Sequence, residues 1–270
     1  MSDQGGEREL YSLEAEVEAP RLTGPVILRR DTDALYAALG AELLIHAYNC
    51  VRSFGDFHLA LSGGSTPMPF YRRLMSDPVF RDLPWKRTHL WLVDERRVGP
   101  DDERCNWTHI ADYLLEPSDI PVSQAHPMRQ LEPDADALYE AELREALSWR
   151  ERGQDRLDFV LLGMGGDAHT ASLFPGSRAV SERERLVVIN SGAGVTPPDR
   201  VTMTYPLLNS ARFVAVLVTG KGKEGALRRV SEAARAGRAD AEALPITGVR
   251  PLGDGVIRWY LDHDAARLEG

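Results

Sequence analysis

Cysteine is scarce in this sequence of 270 residues, which contains only Cys50 and Cys105. Two cysteines are too few for a disulfide framework and lack the spacing of a metal site, so we expect the protein to work in the reducing cytoplasm. Positive charge is also in deficit: 32 Lys and Arg residues stand against 41 Asp and Glu residues, a net charge of −9. Nucleic-acid-binding proteins usually have a basic face, so we expect no nucleic-acid partner. A local cluster of cations could still bind a small anion.

Long apolar runs are missing as well. The N-terminal segment is polar and acidic, which is not the pattern of a secretory signal. No run approaches the roughly 20 apolar residues that cross a bilayer, so we expect no membrane association. We interpret residues 1–20 as a mobile tail. Residues 21–270 are predicted to form a single domain, either as a monomer or as a small homo-oligomer.

What the sequence does contain is an ordinary globular composition, 43% hydrophobic and 27% charged. Short apolar runs alternate with amphipathic segments along most of the chain. This alternation predicts an α/β fold with a doubly wound, mostly parallel sheet and helices on both faces. The predicted strands cover residues 25–28, 57–61, 88–93, 158–162, 186–189, 200–205, 213–218 and 257–261.

The most informative stretch covers residues 157–177, LDFVLLGMGGDAHTASLFPGS. Its apolar start is typical of a strand buried on both faces, and the glycines that follow let the backbone turn sharply and approach a ligand. Asp167 and His169 come directly after these glycines. Open α/β sheets bind ligands at the carboxyl ends of their strands, so we expect the chemistry here. A lone histidine is nevertheless more often structural than catalytic.

A dinucleotide-binding fingerprint is the alternative interpretation of this stretch, because Gly163, Gly165 and Ala168 fit the GxGxxG/A pattern. Such a fingerprint should open a helix of roughly ten residues or more. Pro175-Gly176 comes too early for that helix, and Asp167 would place a carboxylate beside a pyrophosphate. We therefore expect no nicotinamide cofactor.

Three further polar loops follow predicted strands and should meet the same edge of the sheet. Residues 62–67, SGGSTP, precede a helix whose free N–H groups could bind an anion. A run of four charged residues begins at Asp94, and its Arg96 could bind a phosphate through two hydrogen bonds, although such a run is often only a solvated turn. Residues 219–223, TGKGK, place Lys221 between two glycines, where a lysine could reach a phosphate.

Several motifs together resemble one enzyme family. They are LSGGSTP (61–67), DER (94–96), Asn106, GMGGDAHTASLFPGS (163–177), RVTMTYPLLNSA (200–211) and TGKGK (219–223). In this order they are similar to the motifs of the 6-phosphogluconolactonases, whose relatives are the glucosamine-6-phosphate isomerases/deaminases, and the likeness covers about residues 20–268. The resemblance implies a hydrolase without metal or cofactor. It would convert 6-phospho-D-glucono-1,5-lactone to 6-phosphogluconate in the oxidative pentose phosphate pathway.

The predicted catalytic group is His169, Asp167 and Arg96, of which the resemblance supplies His169 and the mechanism we expect supplies the other two. His169 matches the catalytic histidine, which would take a proton from water and return it to the leaving oxygen. Either Asp167 or Asp94 could orient its ring, and Arg96 could hold the carbonyl oxygen as charge develops. A nucleophilic serine is the competing chemistry, but no serine lies in a GxSxG motif.

A larger set of residues is expected to bind the sugar phosphate. These residues are Gly63, Gly64, Ser65, Thr66, Asp94, Asn106, Gly165, Arg200 and Lys221. Which of Arg96, Arg200 and Lys221 contacts the phosphate and which the carbonyl is left open. Ala168 departs from the glycine that is usual in the family, which carries a penalty if the backbone there needs a positive φ.

Two positions separate the lactonases from the deaminases. The deaminases have DGHIAFNEP in the central loop, and the glutamate of that motif falls at Phe174 here. They also usually have tyrosine where this sequence has Arg96. Both differences favour the lactonase. The alternatives are a deaminase-like enzyme and a non-catalytic sugar-phosphate sensor, which would normally carry a DNA-binding segment that the short acidic N-terminus does not offer.

Overall fold

The computed structural model describes residues 17–238 and 240–268. Residues 1–16, which make up most of the predicted tail, lie outside this range. Val17 packs against the core and Pro20 is buried. The last residues assigned to the tail are therefore in contact with the folded domain.

Within the described residues, ten strands form two sheets. The strands are β1 Val26–Arg29, β2 Phe57–Leu61, β3 Thr88–Leu92, β4 Asp94–Arg96, β5 Ala125–His126, β6 Phe159–Gly163, β7 Val187–Ser191, β8 Asp199–Met203, β9 Phe213–Val218 and β10 Val256–Asp262. Seven of them form a parallel sheet in the order β1-β10-β9-β6-β2-β3-β5. The other three form an antiparallel sheet in the order β4-β8-β7.

The predicted α/β fold with a mostly parallel sheet is confirmed, with corrections in detail. β2 and β9 have the predicted bounds, and the other predicted strands shift by one or two residues at an end. The prediction that all strands share one sheet was wrong for β7 and β8. Residues 94–96 form β4, which pairs with β8, instead of a solvated turn. β5 was missed because two residues give no periodic signal.

Eight α-helices lie between and after these strands in the described part of the chain. They are α1 Thr32–Phe54, α2 Met68–Ser76, α3 Pro78–Arg81, α4 Asn106–Ile110, α5 Ala135–Leu147, α6 Tyr205–Ser210, α7 Glu224–Arg235 and α8 His263–Ala266. α4 continues as a π-helical turn through Leu115. Pro67 occupies the N-cap position of α2 without a side-chain hydrogen bond, so the helix is not capped by Ser65 or Thr66, the two residues of the preceding loop expected to suit that position.

The longest helix, α1, shows how the sequence sets an element. The Asp31 side chain accepts the N–H of Ala34 at its start, and Gly55 ends it with φ 89°. By length and composition this helix could also cross a membrane, although the sequence predicted no membrane-spanning run. Its apolar residues pack into the core of the domain, and Glu42 at mid-helix forms an ion pair with Arg258 of β10. The core helix of a globular protein meets the same criteria.

The order of strands reverses between β2 and β6. From β2 the chain proceeds through β3 to β5, and from β6 it proceeds through β9 to β10 on the other side. The carboxyl ends of β2 and β6 therefore flank a crevice, which is the usual ligand position in an open α/β sheet. The loops SGGSTP and GMGGDAH leave the sheet at this point.

Candidate active site

A cavity of about 220 Å³ occupies this crevice. Its walls come from the loops after β2 and β6, from β4, from the first residue of α4 and from the turn before α7. The lining residues are Ser62, Gly63, Gly64, Ser65, Thr66, Pro67, Asp94, Arg96, Asn106, Gly163, Met164, Gly165, His169, Thr170, Ala171 and Lys223. Segments far apart in the sequence thus meet at one edge of the sheet, as expected from their positions after strands.

His169 is paired with Asp167 at the cavity wall. Its Nδ1 lies 2.5 Å from Oδ1 of Asp167, and its backbone N–H donates to the same oxygen at 3.1 Å. Partial burial raises the pKa of Asp167, but the hydrogen bonds and the charge of His169 lower it by a larger amount. The pKa of Asp167 therefore lies below its usual value. An ionised carboxylate accepts the Nδ1–H and leaves the Nε2 lone pair to take a proton. Asp94 instead accepts the hydroxyl of Ser172 at 2.6 Å.

The central loop forces this pair into place. The N–H of Gly165 donates to the carbonyl of His169 at 2.9 Å, which closes a tight turn. A Cβ on Gly165 would lie 2.2 Å from two ring atoms of His169, so only glycine allows the imidazole to sit there. Ala168 has φ 68° and Ala171 has φ 49°, so the backbone penalty expected at Ala168 applies.

Asn106 and Ser62 present unpaired polar atoms to the cavity. The Asn106 amide donates to the backbone carbonyl of Asp94 at 2.9 Å and packs on Gly63, where a Cβ would lie 1.9 Å from Oδ1. Asn106 Oδ1 and Ser62 Oγ are buried without a hydrogen-bond partner among the described residues. Buried polar atoms are nearly always paired, so such atoms in a cavity wall indicate positions for ligand hydroxyls.

Of the two arginines predicted for the site, only Arg96 lines the cavity. It lies opposite Arg200 in the β4–β8 pair, and its Nη1 donates to the carbonyl of Arg104 at 2.7 Å. The buried Arg200 donates to backbone carbonyls of its own segment. Its guanidinium lies 5.8 Å from the ring centre of Phe174, which in turn lies 5.1 Å from that of His169. Arg200 therefore packs against Phe174 and is not among the residues that line the cavity.

Lys223, and not the predicted Lys221, lines the cavity. A 3-10 turn over Lys221–Lys223 follows Gly220, which has φ 82°, and it leaves Lys221 exposed and Lys223 half-buried. Burial lowers the pKa of Lys223, whereas the negative charge of Asp167 raises it. The ammonium group is therefore within electrostatic reach of the His169–Asp167 pair. Both lysines adjoin Gly222, so no local pattern distinguishes the lysine that reaches the cavity from the one that does not.

The sequence places Ser62 in a loop that could bind an anion but assigns it no role of its own, and it assigns none to Glu95. Ser62 directly precedes the two glycines of its loop, and only its burial without a partner draws attention to it. Glu95 looked like part of a solvated run of charges, yet it is fully buried. The apolar strand immediately before it was the one available signal, because a charged residue that continues a buried strand can itself be buried.

A group of side chains that could hold a metal ion lies away from this cavity, and it consists of Asp56, His58 and His89. These residues lie at the amino ends of β2 and β3. The indole of Trp91 donates to Nδ1 of His58 at 3.0 Å, so Nε2 carries the proton and donates to Asp56 at 3.1 Å. Arg150 also pairs with Asp56 at 2.5 Å. The group fits a hydrogen-bond network better than a metal centre.

Residues 30–259 match the family model described as glucosamine-6-phosphate isomerases/6-phosphogluconolactonase. The chain belongs to this family. It is 36% identical over 235 residues to the 6-phosphogluconolactonase of Nostoc sp., which covers 86% of this chain and 92% of that protein. The resemblance drawn from the motifs is confirmed.

The chain is also similar to a human bifunctional protein and to a bacterial crystal structure. The chain is 38% identical over 242 residues to the human GDH/6PGL endoplasmic bifunctional protein, covering 87% of this chain but only 29% of the human protein's length. The crystal structure of 6-phosphogluconolactonase from Thermotoga maritima is similar with a TM-score of 0.74 at 27% identity, covering 89% of this chain and 100% of that one. The α/β fold with its seven-stranded sheet is therefore that of the family.

Proposed function

We propose that this chain is a 6-phosphogluconolactonase that hydrolyses 6-phospho-D-glucono-1,5-lactone to 6-phosphogluconate in the pentose phosphate pathway. The observation that carries the proposal is the His169–Asp167 pair at a cavity that is also lined by the glycine-rich loop of residues 62–67 and by the side chains of Arg96 and Lys223. The names of the relatives in Nostoc and Thermotoga support it. The two free, buried cysteines fit a cytoplasmic location.

In the proposed reaction His169 acts as the base. Its Nε2 takes a proton from water as the water oxygen attacks C1 of the lactone, and the carbonyl becomes an oxyanion. The tetrahedral intermediate then collapses, the bond from C1 to the ring oxygen breaks, and the imidazolium returns its proton to that oxygen. Asp167 fixes the tautomer of His169 and stabilises its charged form, which is the role of an orienting carboxylate.

The rest of the cavity is assigned to positioning the sugar phosphate. The backbone N–H groups and hydroxyls of residues 62–67 lie beside the start of α2, an arrangement that suits a phosphate. Arg96 and Lys223 supply positive charge, one for the phosphate and the other for the oxyanion. Asn106 Oδ1 and Ser62 Oγ accept hydrogen bonds from hydroxyl groups of the substrate. The phosphate end then fixes C1 against the attacking water.

Kinetics of Arg96→Gln and Lys223→Gln separate the two cationic roles. A cation that binds the phosphate in both ground and transition states raises KM when it is lost, whereas a cation that stabilises only the oxyanion lowers kcat. We expect one variant of each kind. Two variants that both behave as wild type would remove these cations from the proposed site.

The direct test uses purified protein and freshly generated 6-phosphogluconolactone, with acid release followed against the spontaneous rate. We expect hydrolysis well above that rate, unchanged by a metal chelator. Ammonia release from glucosamine 6-phosphate tests the deaminase alternative. The position of Phe174 against the ring of His169 disfavours that alternative, because the deaminases have a carboxylate there.

A further inference from the structure

Glu95 is a fully buried carboxylate directly behind the cavity. It lies in β4 between Asp94 and Arg96, and both neighbours line the cavity. A buried acid without hydrogen-bond partners would be strongly unfavourable, so its contacts show what holds it there. Three backbone N–H groups from two different segments point at it.

The two oxygens of Glu95 join β4 to the start of α4. Oε1 accepts the N–H of Arg96 at 2.7 Å and the N–H of Asn106 at 2.8 Å. Oε2 accepts the N–H of Trp107 at 2.7 Å, and the Cys105 thiol lies 3.6 Å away. Cys105, the N-cap residue of α4, provides no side-chain cap. Glu95 therefore supplies from a distant strand the acceptors that the first turn of this helix needs.

The geometry points to Glu95 as a positioning residue: its carboxylate holds Arg96 and Asn106 in the places from which they contact the substrate. The inference rests on the proposed lactonase function and extends it to a residue outside the cavity wall. Asn106 packs in turn on Gly63, so the contacts of Glu95 extend through Asn106 to the glycine-rich loop of residues 62–67.

An ionised carboxylate is the group this position needs. It offers acceptors only, whereas a glutamine amide would direct an N–H₂ group at backbone N–H donors on one side. The pKa of Glu95 is raised to about 7 on balance: burial is the largest cause and the charge of Asp94 adds to it, while the three N–H groups act in the opposite direction and favour the ionised form. The positive charge of Arg200 and the Cys105 thiol are the other polar groups that face it.

The test is Glu95→Gln, assayed for kcat and KM with the lactone and for Tm. Displaced cavity groups lose the positioning that brings reactants together, so we expect kcat/KM to fall about 100-fold in the folded protein. Glu103→Gln, an exposed acid in the loop between β4 and α4, is the matched control and should behave as wild type. A structural role alone would lower Tm and leave kcat and KM of the folded protein unchanged, which would overturn the inference.

A second variant, Asn106→Ala, shows whether Glu95 acts through its neighbours. Because Asn106 is already displaced in Glu95→Gln, the double variant should be little worse than the poorer single variant. Full additivity would contradict the inference. If Glu95→Gln does not fold, Glu95→Asp keeps the charge but withdraws the oxygens by one methylene, and the same loss of kcat/KM is expected. If neither folds, Glu95 is a structural residue and the inference fails. A wild-type protein without lactonase activity would instead contradict the proposed function.

Discussion

Two histidine–aspartate pairs lie at opposite edges of the same parallel sheet. At the carboxyl edge, His169 and Asp167 are 2.5 Å apart with side chains 31% and 46% exposed. At the amino edge, His58 and Asp56 are 3.1 Å apart with side chains 0% and 11% exposed. The residue types and the short sequence spacing are the same, since each pair is separated by one residue. Their surroundings differ.

The difference lies in the second ring nitrogen. In His58 both nitrogens are engaged, because Trp91 donates to Nδ1 and Asp56 accepts from Nε2. In His169 the Nδ1 is engaged, while no partner for Nε2 is found among the described residues, and the ring lines a cavity. A paired histidine can act as a base only when one ring nitrogen is left free where water can reach it. The same pair becomes structural when its network is complete.

The largest expected effect is on activity at the carboxyl edge. His169→Ala should lower kcat about 1000-fold, the contribution typical of a general base, with little change in Tm. The ring is partly exposed, so its loss opens no core cavity. Steady-state kinetics and thermal melting measure both quantities. A variant that still hydrolyses the lactone at the wild-type rate would remove His169 from the mechanism.

The matching change at the amino edge should act on stability instead. His58→Ala leaves the Trp91 N–H and one oxygen of Asp56 without their buried partner, so the free energy of unfolding should fall by about 3 kcal/mol. The kcat of the folded protein should stay at the wild-type value. Urea denaturation measures the loss of stability, and an activity assay at low temperature, where the variant is folded, measures kcat. If His58→Ala lost as much kcat as His169→Ala, the assignment of a structural role to the His58–Asp56 pair would be wrong.

The amino edge should also make stability depend on pH. Burial and the charges of His58 and His126 lower the pKa of His89 to about 4, from 6.5. As pH falls below 6.5, the His89 imidazole takes up a proton in the unfolded chain but stays neutral in the folded chain. The stabilisation is therefore complete above pH 6.5 and is lost towards pH 4, by about 3 kcal/mol in total.

Glu95 works in the opposite direction over part of this range. Its pKa is raised from 4.5 to about 7, so the folded protein takes up that proton first and gains stability as pH falls. Urea denaturation of wild type and His89→Gln at several pH values isolates the histidine. The wild type should lose more stability between pH 6.5 and 4.5 than the variant. Parallel curves would contradict the role given to His89.

The sequence allowed the carboxyl edge to be predicted far better than the amino edge. Polar loops after apolar strands are local signals, and parallel strands bring their ends together, so the cavity around His169 followed from the pattern. The amino edge depends on register: His58 pairs with His89, and Trp91 pairs with His126 of the two-residue strand β5. Nothing local marks that strand or its register.

The same limit explains the errors within the cavity. Lys221 and Lys223 lie in one short turn, and only the direction of that turn decides which of them reaches the cavity. The burial of Glu95 depends on pairing of β4 with β8 and on N–H groups of α4 that lie more than ten positions further along the chain. Such long-range partners leave no trace in local composition.

A smaller effect on activity is expected from the close approach of Gly165 to the ring of His169. Gly165→Ala adds a Cβ 2.2 Å from the His169 ring, so the imidazole must move and kcat should fall about 100-fold. Gly166→Ala is the matched control, because a Cβ there meets nothing within 4 Å. Kinetics of the two neighbouring variants test the position of the ring and not the stability of the loop. Equal losses in both would show that the loop tolerates no side chain at all.

The smallest expected effect concerns the backbone strain in the loop that carries His169. Ala168 has φ 68°, and glycine there would remove a left-handed penalty of about 1 kcal/mol. The methyl group of Ala168 is fully buried, however, and its removal costs about 0.8 kcal/mol. The greater freedom of glycine in the unfolded chain destabilises the variant further. The free energy of unfolding of Ala168→Gly should therefore change by less than about 1 kcal/mol. Ala171→Gly relieves similar strain at φ 49° but loses a methyl that is only partly buried, so it should be the more stable of the two in urea denaturation. The reverse order would show that burial of the methyl group does not decide the difference between the two sites.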